Sequence, residues 1–243
     1  MSGAQVVPIF AFSETSEILT LLGKINGVLF TGGGMEFSMN NRWTKNADAI
    51  VKYAMEENDR GNVFPIWATC LGFQLMSFLT GGYVDTLTRV QGDDAIVLPI
   101  NIKMPSSYIY SAMTPYQIEK MTKGGGILYY NHNWAVTVNT YNTNQKLKNF
   151  WNMVATSTSH GDNVDFVCTM EAKKYPFYGV QFHPEKNLFE WKVSADRSLE
   201  GVEVVQIMSN RFIEKARASN HRFPSPEEFS KISIYNYRTY QTD

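Results

Sequence analysis

The stretch Trp67-Ala-Thr-Cys-Leu-Gly-Phe-Gln74 sets a thiol, Cys70, between an apolar run over 63–67 and a helix-like run over 73–79. A strand–nucleophile–helix turn of this kind lifts the side chain above a sheet and points the following backbone N–H groups at one place. The positive end of the helix dipole also stabilises a thiolate there. The stretch therefore predicts a strand, a turn and a helix with Cys70 as a nucleophile. The alternative is an ordinary core cysteine.

A second stretch, Gly179-Val-Gln-Phe-His-Pro-Glu-Lys186, offers an imidazole and a carboxylate two residues apart. In an extended strand the side chains of His183 and Glu185 share one face, because strand side chains alternate. A histidine base needs a third group to fix its tautomer, and Glu185 can supply it. Cys70, His183 and Glu185 together predict a thiol hydrolase or an acyl-transfer enzyme.

Three consecutive glycines follow an apolar run in Thr31-Gly-Gly-Gly34. The segment lacks the Lys-Ser/Thr pair and the dinucleotide spacing of phosphate-binding loops, so that alternative is weak. A glycine loop at the carboxyl end of a strand can instead present a backbone N–H to a reacting carbonyl. We expect the N–H groups of Gly33 and Leu71 to form an oxyanion hole.

Two further residues are open to more than one interpretation. His132, in Tyr130-Asn-His-Asn-Trp134, fits a surface position as well as a site. Cys168 lies in an apolar run and is interpreted as a buried, inert thiol. No set of His, Cys, Asp and Glu residues has metal-ligand spacing, so we expect no metal and no cofactor.

The composition narrows the class of partner. The 243 residues are 44% hydrophobic and 19% charged, which suits one globular domain. The formal net charge is −1 and no block of Lys and Arg occurs, which disfavours nucleic acid. No apolar run is long enough to span a bilayer, so no membrane partner is expected.

Hydrophobic periodicity predicts strands that alternate with helices. The strands are expected over 6–10, 25–30, 63–69, 96–102, 135–141, 164–170 and 177–182, the last two as a hairpin. The helices are expected over 43–57, 73–79, 115–123, 145–153 and 205–216. Such alternation predicts an α/β fold with a mainly parallel sheet that helices cover on both faces.

These segments together resemble the γ-glutamyl hydrolases, a branch of the class I glutamine amidotransferase-like superfamily. The likeness runs from Val6 to Phe223 and includes segments 25–33, 64–73, 132–148, 175–191 and 216–223. The cysteine and His-Pro-Glu motifs are shared by all glutamine amidotransferases. The Glu190-Trp191 pair after Lys186 and the segment around His132 are typical of the hydrolase branch.

The resemblance implies a three-layer α/β/α flavodoxin-like sandwich over 1–223, followed by a polar and aromatic tail over 224–243. It implies Cys70 as the nucleophile, His183 as general base and acid, and Glu185 as its orienting partner. Substrate contacts are expected from His132, Gln74 and Gly32. The implied substrate is a pteroyl-poly-γ-glutamate, cleaved at its γ-glutamyl amide through a thioester, and a homodimer is left open.

The sequence departs from the family pattern at three places. Ala68 replaces a usual glycine, and Gln74 replaces the glutamate of many hydrolases. The family's first strand and the helix after it are expected to be missing, which predicts an exposed sheet edge. Family members are usually lysosomal, vacuolar or secreted, whereas the absence of a signal peptide favours the cytoplasm if Met1 is the natural start. The alternative functions are a glutaminase domain and a catalytically silent paralogue with a structural role.

Overall fold

The computed structural model describes residues 1–238, and it contains one main sheet with helices on both of its faces. The helices are α1 Thr15–Leu22, α2 Arg42–Asp59, α3 Leu71–Thr80, α4 Pro115–Thr122, α5 Val138–Thr143, α6 Gln145–Phe150, α7 Lys186–Phe189, α8 Leu199–Arg217 and α9 Pro226–Ile232. The strands are β1 Val28–Phe30, β2 Ile66–Thr69, β3 Thr88–Arg89, β4 Ile96–Leu98, β5 Asn101–Ile102, β6 Leu128–Tyr130, β7 Trp134–Ala135, β8 Trp151–Thr158, β9 Asp165–Ala172 and β10 Phe177–Val180.

The main sheet has six strands in the order β1-β2-β10-β9-β8-β5. β2 lies parallel to both β1 and β10, whereas the β10–β9, β9–β8 and β8–β5 pairs are antiparallel. The sheet is therefore mixed, and the prediction of a mainly parallel sheet is corrected. A short turn over 173–176 joins β9 to β10, and a connection that short can only join antiparallel strands. The predicted hairpin of these two strands is confirmed.

Side chains of the central strands alternate between two hydrophobic clusters, one on each face of the sheet. Ile66 and Phe177 point into the cluster that contains buried residues of α1, α2 and α3. Trp67 and Tyr178 point into the other cluster, which includes the buried face of α8. This alternation is the period of two that a strand buried on both faces requires. The three-layer α/β/α sandwich is confirmed.

Several predicted elements differ in the structure because local capping or pairing overrides the pattern. Residues 6–10 form no strand, and a strand needs a partner for its backbone groups.

The predicted strand over 96–102 is split at Pro99, which lacks an N–H, into β4 and β5. The predicted strand over 135–141 is mostly α5, because the Thr137 side chain accepts from Thr140 N–H and caps a helix. The predicted helix over 145–153 ends at Phe150, and β8 follows it.

The predicted tail begins with α9, and its described part packs on the rest of the chain. Lys24 pairs with Glu228 of α9 at 2.9 Å. The Ile234 N–H donates to the Val6 carbonyl at 3.0 Å. The last five residues of the predicted tail, 239–243, lie outside the described residues. None of the helices in 1–238 is long and apolar enough to cross a membrane.

Candidate active site

Cys70 occupies the turn between β2 and α3, as the sequence predicts. Its backbone has φ 49° and ψ −103°, a conformation that side-chain-bearing residues rarely adopt. The Cys70 N–H donates to the Val180 carbonyl of β10 at 2.8 Å, and the Cys70 carbonyl accepts from Gln74 N–H at 3.0 Å. The strained residue is thus fixed on one side by the sheet and on the other by the helix.

Glycine at position 72 lets α3 approach the sheet closely. A Cβ built on Gly72 would overlap the carbonyl of Phe30 in β1. The Gly72 N–H donates to the Thr31 carbonyl at 3.1 Å, which ties the start of the helix to the loop after β1. Ala68 is fully buried in β2 and pairs with Phe30 and Gly179.

His183 and Glu185 lie in the turn that follows β10. His183 Nδ1 and Glu185 Oε1 are 2.7 Å apart, and the His183 N–H donates to the Tyr129 carbonyl at 2.8 Å. The prediction that they share a strand face is wrong, because β10 ends at Val180 and Glu185 begins the turn into α7. The two side chains meet because the chain bends at Pro184.

Cys70 and His183 come together around Gly32. A Cβ built on Gly32 would lie 2.7 Å from His183 Cε1 and 3.6 Å from Cys70 Cβ. Burial lowers the pKa of His183, but its interaction with Cys70 and its hydrogen bond to Glu185 outweigh burial and raise the pKa to about 9. An imidazole with that pKa carries a proton at neutral pH.

The two predicted oxyanion donors are neighbours beside Cys70. Leu71 is the first residue of α3, so its N–H has no acceptor within the helix. Gly33 has φ 157°, and a Cβ built on it would lie 3.2 Å from Leu71 Cδ2. No atom of the described residues lies within 4 Å of a Cβ built on Gly34, so the loop is open to them on that side.

Two buried glutamines connect the cysteine to the segment after His132. Gln74 Nε2 donates to the Trp134 carbonyl at 2.6 Å and to Gln181 Oε1 at 3.3 Å. Gln181 Nε2 lies 3.6 Å from Cys70 Sγ. The sequence-based prediction includes Gln74 but omits Gln181. Its signal in the sequence is only its position two residues before His183, just after a strand next to the nucleophile strand.

His132 lies behind the nucleophile in an enclosed position, with 2% of its side chain exposed. Its ring packs edge-on against Phe166, with Nε2 4.0 Å from Asp93 Oδ2, and neither ring nitrogen has a hydrogen-bond partner among residues 1–238. Burial and the nearby charge of His183 lower the pKa of His132 to about 4. The carbonyl of the preceding Asn131 is 3.9 Å from Cys70 Sγ, so the backbone of this segment borders the sulfur.

A small apolar cavity of about 180 Å³ borders the site on the side of α8. It is lined by residues from the ends of β1 and β2, the His183 turn and α8, among them Thr31, Gly32, Trp67, Pro184, Glu185 and Phe212. Within 1–238, no group of three His, Cys, Asp or Glu side chains is arranged to hold a metal ion.

Comparison with known proteins agrees with this geometry. The model of the class-I glutamine amidotransferase family matches residues 3–195. A putative GMP synthase component from Thermoplasma acidophilum has the same fold, with a TM-score of 0.52 and 16% identity over 92% of this chain and 83% of that one. The protein is therefore an α/β protein of the class I glutamine amidotransferase type.

Curated relatives narrow the class further. Gamma-glutamyl hydrolase B of Dictyostelium discoideum is 33% identical over 97% of this chain and 68% of its own length. The gamma-glutamyl hydrolases of Bos taurus and Homo sapiens are 32% and 31% identical, over 98% and 97% of this chain and 74% of each relative. The chain belongs to the γ-glutamyl hydrolase family, an enzyme family, as the sequence resemblance predicts.

Proposed function

We propose that this protein is a thiol hydrolase that cleaves γ-glutamyl amide bonds through a thioester on Cys70. The observation that carries the proposal is the meeting of Cys70 and His183 around Gly32, at a strained strand–helix turn. Membership of the γ-glutamyl hydrolase family supports the choice of bond. The proposed substrate is a pteroyl-poly-γ-glutamate.

In the first step His183 acts as the general base and holds the proton of the Cys70 thiol, because its pKa of about 9 favours the imidazolium form. The thiolate attacks the γ-carbonyl carbon, and the N–H groups of Leu71 and Gly33 stabilise the oxyanion. Each such donor contributes about 3 kcal/mol.

Collapse of the tetrahedral intermediate breaks the C–N bond, and His183 gives its proton to the leaving amine. A γ-glutamyl thioester remains on Cys70, and His183 is now neutral. The imidazole then takes a proton from water while the water oxygen attacks the thioester. The γ-carboxyl product leaves, the Cys70 thiolate returns and His183 is protonated again. Glu185 holds the ring through Nδ1 in every step.

Substrate recognition is proposed for three residues around this centre. Gly32 lines the cavity next to the proposed catalytic residues, and it has no side chain that would obstruct the cavity. Gln74 lies in the first turns of α3, and its amide nitrogen donates to the Trp134 carbonyl and to Gln181 Oε1. His132 is neutral and largely covered, so its ring would reach a substrate only after the covering side chains move.

The direct test is hydrolysis of pteroyl-polyglutamate by the purified protein, with free glutamine as the parallel substrate. We expect release of glutamate or glutamyl peptides from the pteroyl substrate and little turnover of glutamine. Preferred turnover of glutamine would mean a glutaminase domain instead. No turnover of either substrate by folded protein would mean a silent paralogue with a structural role. The lysosomal, vacuolar or extracellular location and the homodimer stay predictions.

A further inference from the structure

The geometry points to Gln181 as a second side chain that acts on the nucleophile: its amide N–H donates to Cys70 Sγ, and the Trp134 carbonyl fixes this direction through Gln74. Gln181 is fully buried and lies in the turn just after β10. The inference rests on the proposed function only in taking Cys70 as the nucleophile.

The direction of each hydrogen bond in this network follows from the Trp134 carbonyl, at one end of the network. The Trp134 carbonyl can only accept, so the Gln74 atom 2.6 Å from it must be the NH₂ group. The same nitrogen is 3.3 Å from Gln181, which must therefore present its oxygen to Gln74. That leaves the Gln181 NH₂ group facing Cys70 Sγ at 3.6 Å. Amide orientation is thus determined by the network and not by the shape of the side chain.

A donor at this place matters because the sulfur is enclosed. Only 4% of Cys70 is exposed, so water can do little to stabilise a thiolate. The Asn131 carbonyl, 3.9 Å from the sulfur, is an acceptor and favours the protonated thiol. Gln181 and the His183 imidazolium oppose that preference. A hydrogen bond to an ionised group is stronger than one between neutral groups.

The titratable groups that face this centre are few. His183 contacts Cys70, Glu185 is bonded to His183, and neutral His132 lies behind them. None of these is altered by a substitution at Gln181. A change in thiol reactivity in a Gln181 variant would therefore report the amide donor.

The first test is the rate at which iodoacetamide alkylates Cys70 in the full chain, measured against pH. Gln181→Met keeps the length of the side chain and removes the donor. We expect alkylation near neutral pH to slow about tenfold and the midpoint of the profile to move to higher pH. The ultraviolet absorbance of the thiolate should shift with it. A folded Gln181→Met protein with the original rate and profile would overturn the inference.

A second variant tests the direction of the donor while Gln181 stays in place. Burial beside the Trp134 carbonyl should keep the carboxyl group of Gln74→Glu protonated, with its O–H donating to that carbonyl. Its other oxygen can only accept, so the Gln181 NH₂ group should turn toward it and the Gln181 oxygen toward the sulfur. Alkylation should slow again by about tenfold. An unchanged rate in folded Gln74→Glu would also overturn the inference. If Gln181→Met does not fold, Gln74→Glu is the variant that tests the inference.

Both variants belong in a Cys168→Ala background, so that one thiol is measured. Thr169→Val is the matched control, because it removes a buried hydroxyl that bonds Tyr110 Oη at 2.8 Å and leaves Cys70 untouched. Its alkylation should equal that of the parent, whatever its stability. Alkylation needs no substrate, so a protein that shows these shifts but hydrolyses no γ-glutamyl bond would refute the proposed function and keep the role of Gln181.

Discussion

The two cysteines of this chain are both buried, yet their surroundings give them opposite chemistry. Cys168 lies inside β9 with no exposed surface, and burial raises the pKa of its thiol to about 12. Cys70 is 4% exposed but stands at the end of β2 with a positive φ, beside His183 and Gln181. Burial alone does not separate them. Cys70 lies where a strand ends and a helix begins, and hydrogen-bond donors and a charged imidazole there can stabilise a thiolate. The interior of a strand, where Cys168 lies, offers no such groups.

Removal of each thiol gives the largest expected contrast. Cys70→Ala should lower γ-glutamyl hydrolysis by at least about 10³-fold without unfolding the protein, because alanine fits the turn and the fully buried Cys168 cannot replace the thiol. Cys168→Ala should leave the rate within about twofold, although the cavity costs some stability. Steady-state assays and thermal unfolding of both variants measure this. Comparable turnover by the two variants would end the distinction between the cysteines.

Removal of the Glu185 charge should have the next largest effect. Glu185→Gln should lower the rate on the order of 10³-fold, because the imidazolium of His183 loses its partner and its orientation. The pKa of His183 in the native chain is about 9, so the native rate should fall as pH rises through that value.

Without the carboxylate the pKa of His183 falls, and the upper limit of the pH–rate profile should move to lower pH. The pH dependence of kcat/KM for the native chain and the variant checks this. An upper limit that stays in place would show that Glu185 does not set the protonation of His183.

A methyl group at Gly32 should separate the cysteine from the histidine. Gly32→Ala would place Cβ 2.7 Å from His183 Cε1, so the ring must shift, and we expect a loss of about 10²-fold in rate. Gly34→Ala is the control, because its Cβ would meet no atom within 4 Å. Equal activity of the two variants would contradict the close approach at Gly32.

The smallest effect concerns the second buried histidine. The pKa of His132 falls from its ordinary 6.5 to about 4 on folding, so the folded state binds fewer protons between these values. Its contribution to stability is therefore full above pH 6.5 and lost as pH falls toward 4. Over this pH range the free energy of unfolding should fall by about 1–3 kcal/mol more in the native chain than in His132→Asn.

Urea unfolding near neutral pH and at about pH 4.5 measures the difference. His160→Asn changes an exposed histidine and serves as the control. The same acid loss in all three proteins would mean that His132 is not the buried neutral group.

The parts of the site that are local in sequence were predictable. Cys70 and its turn, and the His183–Glu185 pair, each lie within one short segment with a distinctive residue pattern. Gln181 was not predictable, because its role depends on Gln74, 107 residues away in the chain, and on the Trp134 carbonyl. No pattern within one segment encodes that contact.

The fold divides in the same way. The helical period of α2 and the apolar run of β2 are strong local signals, and both elements formed as expected. Strand direction was not encoded locally, because it depends on connection length and on which strands become neighbours. Segment 135–141 contains β-favouring residues, but the cap at Thr137 turns most of it into a helix.

Identification of the covalent intermediate tests the central claim most directly. The native chain is mixed with a γ-glutamyl anilide, whose good leaving group lets the thioester accumulate, and is quenched rapidly in acid. Peptide mass spectrometry then locates the adduct. The account predicts a γ-glutamyl group on the peptide that contains Cys70 and an unmodified peptide for Cys168. A γ-glutamyl group on any other residue, or hydrolysis that Cys70→Ala carries out at the native rate, would contradict it.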